Sequence, residues 1–196
     1  MHKKSISLIL LLFSISCSPR YFLTRRLASD LIAASEVFRK PQPVTLQTGI
    51  ISSKDYPPPE FLALQQHGWI SASNAPCPAG VVPPPCWDIT LTPSGVDAVH
   101  TLISADDAAK PSFSIPAARR ELVAVTGISK QGNVADVEFT WHWIPLNEIG
   151  AALYSSDVRY QSSVVFSDYD DGWRVVEHSH QEQCLDDALK NAEPSR

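Results

Sequence analysis

The chain has 196 residues, with 16 lysines and arginines against 21 aspartates and glutamates, and a formal net charge of −5. That balance argues against a nucleic-acid partner, whose phosphates need an excess of cations to neutralise them. The length suffices for one domain or two small ones, and sixteen prolines cut it into pieces.

His2, Lys3 and Lys4 make a short basic start, followed by the uncharged, strongly apolar run "ISLILLLFSI" at residues 6–15. Crossing a hydrocarbon core takes about 20 apolar residues, so ten read as the hydrophobic part of a secretory signal. "SISC" at residues 14–17 resembles the bacterial lipobox, with Ser14 in place of the usual Leu. The resemblance implies that residues 1–16 are a signal peptide, that Cys17 carries the lipid (palmitate included), and that residues 17–22 link it to the body. Loss of Lys3 and Lys4 takes the side-chain charge to −7. No later segment is long and apolar enough to span a membrane, so the body is expected on the extracytoplasmic side of the envelope, held by its lipid.

Residues 23–40, "LTRRLASDLIAASEVFRK", place Leu27, Leu31, Ala34 and Phe38 at helical spacing, and "KPQP" stops the helix. Arg20, Arg25 and Arg26 suit anionic head groups, with Tyr21 and Phe22 at the interface; a core helix with a solvated basic end is the alternative. Residues 44–51 read as one β-branched strand. Three prolines lead into the short helix "EFLALQQHG", closed by Gly68. Residues 69–71 and 87–91 are strands on either side of a cysteine loop. In "TPSGVDAVHTLI", Thr92 is an N-cap and Pro93 the first helical residue, with Val96, Val99 and Leu102 or Ile103 on the buried stripe. Residues 104–112 are small and polar, a linker.

The loop "CPAGVVPPPC", residues 77–86, has four prolines and no charge. In an oxidising envelope Cys77 and Cys86 can bridge a hairpin, whereas zinc and redox motifs use closer spacings. Cys184 is then the odd thiol: free, paired with a partner, or competing for one of the others. Val81, Val82 and Pro83 at the loop tip offer a rigid apolar contact for another envelope protein.

In the second half "VADVEFTWHW" alternates, with Ala135, Val137, Phe139, Trp141 and Trp143 on one face and Asp136, Glu138, Thr140 and His142 on the other. "RELVAVTGIS", "VRYQSSVVFSDY" and "WRVVEHS" supply further strands, with turns at Gly132 and Gly172, and "PLNEIGAALYSS" fits a short helix or ordered loop. The fold class expected is α+β: a helical, winged-hairpin region over 23–104, an antiparallel sheet of about four strands over 113–180, and a polar tail over 181–196.

Leu64, Gly68, Leu91, Thr92, Pro93 and Gly95 give the segment 58–103 a resemblance to the end of a winged-helix domain. DNA binding does not follow from it: between residues 41 and 104, Lys54 alone faces Asp55, Glu60, Asp88 and Asp97. "YDDGWRVVE", residues 169–177, is similar to NTF2-like and cystatin-like sheet modules, which carry no single reaction with them.

His178 and His180, with Glu177 beside them, could take a metal together with Cys184 or Glu182, but the surrounding polar segment reads as a solvated strand end, and no metal or other cofactor is expected. His142 with Asp136 and Glu138 is a polar trio that any wet strand face produces, and no nucleophile elbow, phosphate loop or His-Glu-x-x-His motif is present, so no catalytic residue is assigned. Trp141, Trp143 and Trp173 read as core. The function expected is a lipid-anchored envelope protein with a binding or structural role. The alternative is a carrier of a small apolar ligand on the concave sheet face, with His142 at its mouth.

Overall fold

A computed structural model describes residues 22–52, 59–78, 85–104, 106, 110–176 and 185–194. The protein is α+β. Its elements are α1 (Arg25–Ala34), α2 (Glu36–Arg39), β1 (Gln42–Gln47), β2 (Gly49–Ser52), α3 (Pro59–Gln66), β3 (Ile70–Ala75), β4 (Cys86–Leu91), α4 (Pro93–His100), β5 (Ser112–Gln131), β6 (Val134–Pro145), α5 (Glu148–Leu153), β7 (Arg159–Tyr169), β8 (Gly172–Val175), α6 (Leu185–Lys190) and β9 (Glu193–Pro194).

The larger sheet is antiparallel in the order β1-β5-β6-β7-β8, with β9 beside the other end of β7. Its inner face buries the alternating set Ala135, Val137, Phe139 and Trp141 against Val164 and Phe166. Helices α1 and α2 cover that face through Ala28, Ile32 and Phe38, whose ring meets Phe139 edge-on at 6.3 Å. The segment expected as one helix is two. Ser35 turns out of helical geometry at ψ 152°, and its hydroxyl donates to the Ile32 carbonyl at 2.6 Å, a side-chain bond that competes with the helix. Arg25 is not left for head groups alone, since its Nη2 donates to the Thr126 carbonyl at 3.0 Å.

Residues 44–51, expected as one strand, also divide. Gly49 has φ +88°, a conformation other residues rarely adopt, and there the chain leaves one sheet for another. β1 pairs with β5, bringing Val44 to Ile115 and Leu46 to Phe113. β2 pairs with β4 in a three-stranded sheet ordered β2-β4-β3. A second core joins this sheet to α3, α4 and the outer end of the large one through Leu64, Ile89, Ile115 and Ile149.

The capped helix α4 is where it was expected, but only part of its expected stripe is buried: Val99 is, whereas Val96 is 48% exposed. Thr92 Oγ1 accepts from the Gly95 N–H at 3.1 Å. Gly95 has no room for a side chain, because a Cβ there would stand 1.9 Å from the Trp69 carbonyl oxygen. The polar tail, by contrast, contains α6, whose Leu185, Ala188 and Leu189 are buried on the large sheet. Three apolar side chains on one face of a six-residue helix outweigh the polar residues around them once a sheet face is there to receive them.

Candidate functional site

The inner face of the large sheet is filled along most of its length by α1, α2 and α6. At the end where β1, β5 and β6 meet α5 and α6, a cleft of about 300 Å³ remains, lined among others by Arg120, Trp143, Tyr154, Tyr160, Asp186 and Lys190. Strand register assembles it. Arg120 stands opposite Trp143 and Leu122 opposite Trp141, while Trp141 stands opposite Tyr160 in β7, so these side chains share the inner face.

Each ring is held by another. Trp141 stacks on Tyr160 at 4.7 Å and meets Trp143 edge-on at 5.2 Å, and Trp143 lies 4.8 Å from Tyr154. The indole N–H of Trp141 donates to Ser162 Oγ at 3.0 Å, and that hydroxyl donates to the Ala188 carbonyl at 3.1 Å, which ties the aromatic wall to α6. Tyr154 is placed by α5, whose N-cap Asn147 accepts from Gly150 N–H at 2.8 Å and donates through Nδ2 to the Pro116 carbonyl at 2.7 Å. The helix therefore lies flat on β5.

Arg120 is only 9% exposed. Its guanidinium carbon sits 4.7 Å from the Trp143 ring centre and 5.7 Å from that of Trp141. Nη1 donates to the Val37 carbonyl at 3.0 Å and Nη2 to Gln42 Oε1 at 3.4 Å, while the buried Nε has no hydrogen-bond partner. Burial pushes the guanidinium below its ordinary pKa, with Asp186 and Tyr154 opposing. Burial likewise pushes the Tyr154 phenol up, Glu60 adding to the shift and Arg120 opposing it. Tyr154 is thus a neutral donor at physiological pH.

Of the residues singled out by sequence, Cys77 and Cys86 are joined in a disulfide with Cα atoms 5.2 Å apart, at the end of the β3–β4 hairpin. Cys17, the loop tip Val81, Val82 and Pro83, and the group Glu177, His178, His180, Glu182 and Cys184 lie outside the described residues. His142 is on the opposite strand face from Trp141 and Trp143, and its Nδ1 lies 2.9 Å from the Ser156 carbonyl, which can only accept. It does not line the cleft. Asp136 and Glu138 share that outer face, opposite Val165 and Ser163. Among the described residues no group of three His, Cys, Asp or Glu side chains is placed to hold a metal ion. Trp141 and Trp173 are core, as read from the sequence, whereas Trp143 is half-buried and forms the cleft wall.

Sequence reasoning missed Arg120. No sequence signal points to it: its phase relative to Val123 and Val125 places it on the opposite face, and only the register shift between Leu122 and Ala124 brings it inward.

No family model, no curated protein and no solved structure matches this chain.

Proposed function

We propose that the protein is a lipid-anchored binding protein of the bacterial envelope, attached through Cys17 outside the cytoplasm, whose work is recognition. The observation that carries this reading is the Cys77–Cys86 disulfide, a bond that persists in oxidising compartments and is rare in reducing ones. The basic and apolar start of the chain supports it independently. The five Cα–Cα steps from Cys17 to Phe22 reach at most about 18 Å, which keeps α1 and the large sheet beside the membrane. The test is metabolic labelling with a palmitate analogue, comparing the unaltered chain with Cys17→Ala, followed by membrane fractionation. Label and membrane attachment that both depend on Cys17 are expected. An unlabelled, cytoplasmic chain with Cys77 and Cys86 reduced would overturn the proposal.

A second reading, a carrier of small molecules, is favoured by the Arg120 cleft. It differs from a carrier built on the whole concave face, because α1, α2 and α6 occupy much of that face, and it places the ligand in the aromatic cleft at Arg120. In this form ligand contacts come from Trp143, Tyr154 and Tyr160 and not from His142.

A further inference from the structure

We infer that the cleft takes a small molecule with a single carboxylate on an aromatic or apolar body, the carboxylate meeting the Arg120 guanidinium and the body lying against Trp143, Tyr154 and Tyr160. The inference rests on the carrier reading and names its ligand class.

The guanidinium is the reason for the carboxylate. It has five N–H donors in a planar fork, and the protein engages two of them, both with neutral oxygens and one at a long 3.4 Å. Among the described residues no carboxylate forms an ion pair with it. Asp186, the acid that lines the cleft, is held by Lys190 four residues along α6. A cation that is nine-tenths buried without a counterion is costly, and the two indole faces offset only part of that cost. An anion delivered by a ligand supplies the missing partner with charge-assisted hydrogen bonds.

Charge and size restrict the class further. Arg120 and Lys190 against Asp186 leave an excess of one positive charge among the lining side chains. The chain as a whole is at −5, so its field opposes the approach of polyanions more than that of a monoanion. About 300 Å³ is the lower end of small-molecule sites, and the four ring-bearing side chains in its wall, Trp141, Trp143, Tyr154 and Tyr160, favour a flat apolar body over a sugar or a polyol.

The experiment uses matched acids and amides of one shape: benzoate with benzamide, and 3-phenylpropionate with 3-phenylpropanamide. Each is titrated into the purified full chain while the indole N–H resonances of its tryptophans are followed by NMR. The acids are expected to bind at least about tenfold more tightly than their amides, the equivalent of one charge-assisted hydrogen bond. Shifts are expected on Trp143 and Trp141, with Trp69, Trp87 and Trp173 unmoved. Arg120→Gln should remove the preference for the acid while leaving the amide affinity in place. Where that variant does not fold, the acid–amide ratio on the unaltered chain still decides. Equal binding of acid and amide at Trp143 would overturn the carboxylate and leave the carrier reading standing. Shifts confined to Trp69 or Trp87, or no shift with any of the four compounds at millimolar concentration, would overturn both.

Discussion

Gly150 of α5 rests directly on the carbonyl oxygen of Ala117 in β5: a Cβ at this position would lie 1.8 Å from that oxygen. Backbone cannot yield as a flexible side chain does, so the contact requires glycine. Through it the helix that carries Tyr154 is seated against the strand that carries Arg120. Gly150→Ala should therefore lift α5, destabilising the protein by about 1–3 kcal/mol as an overpacked core does. Urea unfolding gives the loss. The aromatic near-UV circular dichroism should change with it, since Tyr154 moves relative to Trp143. Gly95→Ala, with its Cβ 1.9 Å from the Trp69 carbonyl oxygen, should lower stability in the same way but leave the Trp143 indole resonance in place.

Ser162 is a buried relay between Trp141 and the Ala188 carbonyl. Ser162→Ala leaves one buried donor and one buried acceptor without partners, each at a cost of about 1–3 kcal/mol unless water enters. The expected result is a clear fall in the urea midpoint and faster hydrogen exchange of the Trp141 indole N–H. An unchanged midpoint would mean that α6 is not held to the sheet by this pair of bonds.

The disulfide closes a loop with a sequence separation of 9. In the chain-entropy model its removal costs about 2–3 kcal/mol. Reduction, or Cys77→Ala with Cys86→Ala, should lower the unfolding midpoint without altering ligand affinity at Arg120, because the hairpin packs in the second core and the cleft lies at the large sheet. Unfolding with and without reductant measures the first, and the acid titration measures the second.

The Tyr154 phenol titrates above the ordinary value of 10.0, first because it is buried, with Glu60 adding to the shift. The folded protein keeps this proton after the unfolded chain has lost it, so the unfolded state binds fewer protons and stability falls as pH rises. The contribution is complete below about pH 10 and is lost as pH climbs through the folded value. Tyr154→Phe should lose less stability than the unaltered protein between about pH 9 and about pH 11, compared by urea midpoints.

What could be read from the chain alone is what neighbouring residues decide between themselves. The Thr92 cap, the closing Gly68, the alternation of Ala135 to Trp143 and the pairing of Cys77 with Cys86 are local patterns, and each is where its spacing puts it. The position of Arg120 was set differently. Counting back by twos from buried Val125 puts Glu121 inward and Arg120 outward. A register shift between Leu122 and Ala124 inserts Val123 as an extra residue, and that side chain stays 38% exposed. The side chains from Leu122 back to Ala118 change face, which moves Arg120 in beside Trp143. Two other decisions are equally non-local: Gly49 hands one apolar stretch to two sheets, and the short apolar face of α6 is buried only because β7 offers a surface. Period and capping are interactions over a few residues and are written in the sequence; which strand face an arginine meets depends on partners far along the chain, and only the folded sheet decides it.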